Sequence, residues 1–461
     1  MAQVRHSQIF IVQRAVLAHY LCMRNKSAVP AATFKALFKE LIPGSLIRAL
    51  LARCGLRRRC PPVITAVELI QGLVFHVVAP AGSLARHVKQ LTGKAITDGA
   101  LAQRRAHLPP AVFQELMAAA LRPKAEPTRD PDAFYHGLRL CGVDGSLFSV
   151  TNTPQIKKQM RKARTRRGRA AFPKVGAVVL LELGLHNPLA AALGANGESE
   201  MALARQVFAA QPARSLLLGD RYYGVAAVLV DLPAAEERHF LARAKASLKR
   251  RFVAGCPDGS ALVEIRSGQK KRLVRAIVGR VQRGGRGAGP TVRLWTTLLD
   301  WRLHPAAELL ALSARRWEQE VFYKELKVNT RATPSLQSHT PWTAVQEIAA
   351  LILAYAVLVD YRVEAAAAAQ VGVLRISFIK TLQVVQGLWQ FRQVAADLLS
   401  PAQVRLLRRR SLQQIADRVS PKRRARSCPR ALRQPVSSWP RLRKNTYRKG
   451  AIVYSLATIC V

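Results

Sequence analysis

Acidic residues are scarce in this chain beside its basic ones. Across 461 residues it carries 27 Asp and Glu against 73 Lys and Arg, a formal net charge of +46. A surface of that sign repels itself at low salt and draws in polyanions, with counterion release supplying much of the affinity. Ribosomal and chromatin proteins share such a surface, so charge alone leaves the partner's role open. Cysteine pairs at metal-ligand spacing are also missing. The seven cysteines (Cys22, Cys54, Cys60, Cys141, Cys256, Cys428 and Cys460) are odd in number and widely spaced, with no Cys-x-x-Cys pair. This argues against a disulfide framework and a structural zinc site, and it fits a reducing compartment. Met1 to Ser27 lacks the charged-then-apolar order of a secretion signal and carries Arg14, Arg24 and Lys26 among its apolar residues. The longest apolar candidate, Ala349 to Val359, is too short to span a bilayer and ends at Asp360. The expected setting is therefore cytoplasmic, associated with the nucleoid in a bacterium, and without a membrane.

What is present is enough apolar material for real cores: 49% of residues are hydrophobic, which excludes a disordered basic tail. Length suggests roughly two to four domains. Residues 1–128 read as helical, with Phe34, Leu37, Phe38 and Leu41, then Val67, Leu69, Ile70, Leu73 and Val74, at helical spacing. Ser83 to Leu91, a stop at Gly93, and a start at Thr97-Asp98 leading to His107 have helix-turn-helix proportions. The second helix would present Gln103, Arg104 and Arg105 to DNA; an ordinary helical hairpin gives the same pattern. Pro123 to Pro131 reads as a linker.

From Gly137 the period changes. Strands are expected at Leu138–Val143, Val175–Leu183, Leu189–Leu193, Ser215–Leu218 and Phe240–Ala242, with helices at Ser199–Phe208 and Tyr222–Leu229. Three strands, helix, strand, helix, strand describe an α/β layer around one sheet. Residues 245–300 hold short alternating runs broken by the glycine-rich Gly284 to Pro290, a basic, strand-rich insertion. Helix returns at Pro305 to Lys327 and in the apolar block Trp342 to Val363. After Pro401 the chain turns strongly basic, with Arg408-Arg409-Arg410, Lys422-Arg423-Arg424 and Arg441-Leu442-Arg443-Lys444.

Against this background three acids stand out. Asp144 and Asp220 each end an apolar run, in Val143-Asp144-Gly145-Ser146 and Gly219-Asp220-Arg221-Tyr222-Tyr223. Glu320 lies in a helical pattern with Arg316 four residues before it and Lys327 seven after, positions that share a helix face. A single Asp at a strand end is ordinarily a turn or cap residue, and a charged stripe is ordinarily a solvated face. Together, carboxylates at neighbouring strand ends and on an overlying helix make a set able to hold two divalent cations, the arrangement that stabilises both apical oxygens of a phosphodiester under attack.

In these motifs the chain resembles the DDE-type transposases of bacterial insertion sequences, in the insertion-sequence-four family. Asp144-Gly145-Ser146 matches the family's first-acid motif and Asp220-Arg221-Tyr222-Tyr223-Gly224 its second. Arg316, Glu320 and Lys327 match the Tyr-x2-Arg-x3-Glu-x6-Lys signature, with Ser313 at the tyrosine position. The likeness covers about residues 45 to 330 well. It implies a ribonuclease-H-like catalytic core (135–244 and 301–330), interrupted by the β-rich insertion (245–300). Around it would lie a helical N-terminal DNA-binding domain (1–128), a helical region (331–400) and a basic C-terminal region (401–461).

It further implies that Asp144, Asp220 and Glu320 are catalytic and hold two ions of Mg2+ or Mn2+. Arg316, Lys327 and Arg221, with Arg104 and Arg105, would contact DNA phosphates. Ser313 weakens one such contact unless Tyr323 supplies it. Trp295 and Trp301 would stack on an unpaired base at the transposon tip, or else pack in the core. The implied activity is cleavage of double-stranded DNA at terminal inverted repeats followed by strand transfer, with a homodimer in the synaptic complex. A catalytically inactive DNA-binding relic and a ribonuclease-H-like nuclease without strand transfer are the competing readings.

Overall fold

The computed structural model describes residues 43–55, 63–79, 82–160, 164–165, 168–169, 172–195, 197–245, 247–283, 291–330, 335–395, 398–417, 419–421 and 452–456. Phe34 to Leu41, the glycine-rich segment 284–290, and the basic clusters at 422–424 and 441–444 lie outside the described residues.

The described chain opens with helices α1 (Gly44–Arg53), α2 (Ala66–Val78), α3 (Leu84–Thr92), α4 (Asp98–Ala106) and α5 (Pro110–Ala120). Local chemistry sets their ends. Thr65 and Glu68 form a reciprocal cap on α2, while Ser83 and Thr97 cap α3 and α4. α3 stops at Gly93, whose φ of 76° needs a residue without Cβ. The Asp98 carboxylate accepts from the Ala85 amide (2.9 Å), tying the start of α4 to the start of α3.

The sheet follows: β1 (Leu138–Ser149), β2 (Lys174–Glu182), β3 (Asn187–Leu193), helix α6 (Glu200–Phe208), β4 (Ser215–Gly219), helix α7 (Ala226–Leu229) and β5 (Arg238–Arg243). β1, β2 and β3 are antiparallel neighbours, and β4 and β5 run parallel to β1 on its other side. The insertion supplies β6 (Arg251–Gly255), β7 (Ala261–Ser267), β8 (Lys270–Arg283) and β9 (Thr291–Thr296). These strands do not form a separate sheet. β9 pairs antiparallel with β5, placing Leu294, Trp295 and Thr296 opposite Arg243, Ala242 and Leu241. The main order is β3-β2-β1-β4-β5-β9-β8-β7-β6, and strand β10 (Ile452–Leu456) adds to β8, within a sheet of eleven strands.

Two cores lie on the two faces. One joins Leu140, Val179, Leu218 and Leu241 of the sheet to Ile70 and Phe113 of the first helices and to the later helices. The N-terminal helices thus share their apolar interior with the sheet. The other packs Cys141, Val143 and Val178 against Leu203 and Val207 of α6 and against Val263, Val274 and Trp295 of the insertion. Next come α8 (Ala306–Leu312), α9 (Trp317–Lys324), α10 (Pro341–Ala368), α11 (Phe378–Val394) and α12 (Pro401–Ala416). By length and composition α10 is apolar enough to cross a membrane, but 89% of its most apolar window is buried inside the protein. A helix apolar all round fits a position at the centre of a core.

Candidate active site

Strand register builds the site. Gly142 of β1 stands opposite Leu218 of β4, and Leu218 opposite Leu241 of β5. Two residues further along each chain are Asp144, Asp220 and Arg243. Side chains alternate with period two, so these residues continue the face of Leu140, Leu218 and Leu241, the face that also holds Phe322 and Tyr323 of α9.

Asp144 is not at a strand end, as its apolar run suggested. β1 continues to Ser149 because β2 pairs with it throughout, Ser149 lying opposite Lys174. What ends is the neighbour on the other side: β4 stops at Gly219. The apolar run marked only the part of β1 enclosed on both flanks. Burial and the adjacent Asp220 carboxylate push Asp144 up to about 7, with Glu200 adding to the rise; the Gly145 amide and the charge of Arg316 act against it. The Gly145 amide donates to Asp144 Oδ1 at 2.9 Å. Asp220 begins a turn in which its Oδ1 accepts from the amides of Tyr222 (2.7 Å) and Tyr223 (3.4 Å).

Glu320 lies on α9 and accepts from Arg316 Nη2 at 3.1 Å. Polar contacts fix this helix to the sheet. Gln319 Nε2 donates to the Val179 carbonyl (3.1 Å), and the Tyr323 hydroxyl donates to the carbonyl of Asp144 (2.8 Å). The buried His186 contacts Glu318 (2.7 Å) with one ring nitrogen and Glu325 (3.1 Å) with the other. Glu325 also accepts from the Tyr355 hydroxyl (2.5 Å) and lies 3.4 Å from Arg362. Burial opposes its charge, but Arg362 and His186 hold its carboxyl down at about 2.

The helical stripe expected from Arg316 to Lys327 is not one regular helix. A 3-10 turn (Ser313–Arg316) precedes α9 and a π-helical turn (Glu325–Asn329) follows it. Lys327, on the wide turn, donates to Ser146 Oγ (3.0 Å) and to the Leu147 carbonyl (2.7 Å), which brings it onto the first-acid strand.

The structure also corrects several expectations. Ser313 donates to the Leu310 carbonyl (2.7 Å). Tyr323 does not replace the missing tyrosine at a phosphate, because it is buried and its hydroxyl is bonded to the Asp144 backbone. Trp295, 3% exposed, is core and is not free to stack on a base. Trp301 is half-buried, with the Arg302 guanidinium 5.1 Å from its ring centroid. The exposed aromatic side chains near the acids are Tyr222 (44%) and Trp317 (59%). Arg105 turns inward to Ser338 Oγ (3.2 Å) and the Thr343 carbonyl (2.9 Å), and Arg104 donates to the Ile64 carbonyl. Of the residues expected to face DNA on α4, Gln103 is exposed and these two arginines are bound within the protein. Arg221 is exposed beside Asp220.

Sequence reasoning passed over two residues. Glu200, capped by Ser199 at the start of α6, packs over Gly145: a Cβ there would lie 2.4 Å from the Glu200 carboxyl carbon. It accepts from the Tyr223 hydroxyl at 2.7 Å. Its only signal in the sequence is being an acid in a chain with few. The other is Arg243, one cation among many.

The donors suit a hard cation. Asp144 and Asp220 offer only oxygen, and their mutual crowding, visible in the elevated Asp144, is what a bound cation would relieve. Among the described residues no three His, Cys, Asp or Glu side chains are grouped as a ready cage; Glu320 is engaged by Arg316.

Residues 136–357, which include all three acids, match the family described as Transposase DDE domain. The chain is 26% identical over 266 residues to the transposase InsG for insertion sequence element IS4 of Escherichia coli (strain K12), covering 56% of this chain and 56% of that protein. It thus spans just over half the length of that relative. It is 32% identical over 90 residues to the putative transposase InsZ of the same organism, 19% of this chain and 30% of that one. In shape it is similar to a piggyBac transposase solved by cryo-EM as a synaptic complex with hairpin DNA, with TM-score 0.43 and 10% identity over 86% of this chain and 87% of that one. The ordered motifs around Asp144, Asp220 and Glu320 and the match across 136–357 point the same way: this chain is similar to the DDE transposases of the insertion-sequence-four type.

Proposed function

We propose that the protein cleaves double-stranded DNA at terminal inverted repeats and joins the freed ends to target DNA. The observation that carries this reading is the placement of Asp144 and Asp220 side by side, each two residues past the paired Gly142 and Leu218, on the sheet face covered by the helix of Glu320. The sheet order supports a ribonuclease-H-like core: three antiparallel strands with β1 innermost, then two strands parallel to it.

Transposases of this family use divalent metal ions. In this reading Asp144, Asp220 and Glu320 would hold two ions of Mg2+ or Mn2+, which would supply charge stabilisation to a phosphodiester under attack. The protein's own groups do the rest. Arg316 orients Glu320 through their 3.1 Å contact and presents its remaining N–H donors to a phosphate. Tyr323 and Gln319 keep the helix of the third acid at a fixed height above the first. Arg221, exposed at the second acid, and Lys327, at the first-acid strand, supply positive charge on either side of the scissile bond. Synapsis of two ends implies a homodimer. The cytoplasm, next to the nucleoid, is the setting that gives such an enzyme its DNA.

The test is incubation with linear DNA bearing candidate terminal repeats, a target plasmid and Mg2+. Joined products support transposition, and cleavage without joining supports a nuclease. A shifted but uncut band supports an inactive DNA-binding relic, the reading favoured by Ser313 at the signature's tyrosine position. A Glu320→Gln variant that joins ends as well as the parent eliminates the proposed site.

A further inference from the structure

Among the described residues the two buried arginines, Arg275 and Arg362, and the half-buried Arg139 are neutralised from within. Arg275 is paired with Asp258 at 2.9 Å, Arg362 with Glu325 at 3.4 Å, and Arg139 with Glu182. Arg243 is different. It ends β5, one residue beyond the last pair of that strand with β4 (Gly219 opposite Ala242) and so next to Asp220, yet it makes no ion pair among the described residues. Its Nε is buried with no hydrogen-bond partner.

The charges around Arg243 are mostly of its own sign. Burial disfavours its charged form first, then Arg221 and Arg316, while Asp220 is the one opposing influence. The turn that carries Arg316 packs against β5, which accounts for that proximity. The backbone here has little freedom. A Cβ on Gly224 would lie 1.9 Å from the Arg243 carbonyl, and the following Ala244 amide donates to Arg293 at 2.8 Å. Three guanidinium groups thus gather around Asp220; Arg316 is already paired with Glu320, and Arg243 rises from a fixed backbone with donors to spare. Such a group favours an anion with several oxygens, and a phosphate matches the fork geometry of arginine.

We infer that Arg243 is a DNA-phosphate-binding residue. On the β5 side of Asp220 it forms with Arg221 and Arg316 an anion pocket, which holds a backbone phosphate next to the scissile one. This rests on the DNA reading given above.

The full chain, as wild type, Arg243→Gln and Arg243→Lys, is titrated with duplexes of the DNA flanking the coding sequence, across a salt series. Folding of each variant is checked by circular dichroism and melting temperature. Losing one phosphate contact lowers the slope of log affinity against log salt by about 0.9. Arg243→Gln is expected to show that loss, and Arg243→Lys to keep the slope while binding more weakly. The titration is then repeated with single neutral methylphosphonates placed along the duplex. One position should weaken wild type and leave Arg243→Gln unaffected.

A purely structural role would lower the melting temperature and leave that interference pattern intact. The inference is overturned if Arg243→Gln keeps the wild-type slope and is sensitive at every position that affects wild type. If Arg243→Gln does not fold, Arg243→Lys decides: affinity equal to wild type overturns it. A wild-type protein that binds none of these duplexes removes the DNA reading itself, an outcome distinct from one in which wild type and variants bind alike.

Discussion

Replacing Asp144 by Asn should make the protein more stable while abolishing any cleavage. Asp144 Oδ1 accepts from the Gly145 amide, a contact the Asn carbonyl oxygen can keep. What disappears is a carboxylate crowded by burial, by Asp220 and by Glu200. Its rise from 3.8 to about 7 corresponds to about 4 kcal/mol at 1.36 kcal/mol per pH unit.

The sign follows from proton counting. Between pH 3.8 and about 7 the folded state holds a proton that the unfolded state has lost, so wild-type stability falls as pH rises through that window. The Asn variant has no such loss. Its advantage should be near zero around pH 4, grow through neutrality and level off above pH 7 at up to about 4 kcal/mol. Urea unfolding of both proteins across this range, without added metal, measures it. Adding Mg2+ at pH 8 should stabilise wild type and leave the variant nearly unmoved, because a ligand stabilises only the state that binds it. A variant no more stable than wild type at pH 8, or an advantage flat with pH, would refute the reasoning.

Three further outcomes are expected. Tyr323→Phe removes the donor to the Asp144 carbonyl at a cost of about 1 kcal/mol in stability; it should slow cleavage with DNA affinity unchanged, and equal single-turnover rates would count against the positioning role. Glu325→Ala strands His186 and Arg362 in the core and should cost about 3–5 kcal/mol by denaturant unfolding; a change under about 1 kcal/mol would show the cluster to be idle. Gly224→Ala sets a Cβ 1.9 Å from the Arg243 carbonyl, so the melting temperature should drop and DNA affinity with it, whereas a variant unchanged in both would mean the second-acid turn yields freely.

Much of the sheet could be read in advance. The apolar runs at 138–143, 175–183, 189–193, 215–218 and 240–242 became β1 to β5, because strands covered on both faces of the sheet must be apolar throughout. The pattern could not show that β1 continues past Asp144, since Gly145 to Ser149 is less fully covered, with Leu147 exposed, and so escapes the apolar demand. Nor could it show the insertion joining the main sheet. Pairing of β9 with β5 is a long-range event with no local marker. Trp295 alternates correctly for a strand, but which face it takes depends on that pairing. Arg105 and Arg243 illustrate the same limit for charge. One satisfies the Ser338–Thr343 corner from within and the other makes no ion pair among the described residues, and side-chain type says nothing of the difference.

The join between β5 and β9 has a consequence for the evolution of this chain. A segment lodged between two essential residues can usually be trimmed or exchanged when it folds as an appendage. Here excision of 245–300 would tear a seam: Leu241, Ala242 and Arg243 would lose Thr296, Trp295 and Leu294 from their hydrogen-bonded flank, leaving a raw edge open to pairing with another chain. Viable shortened relatives should therefore either retain a strand at this seam or cover it with something else.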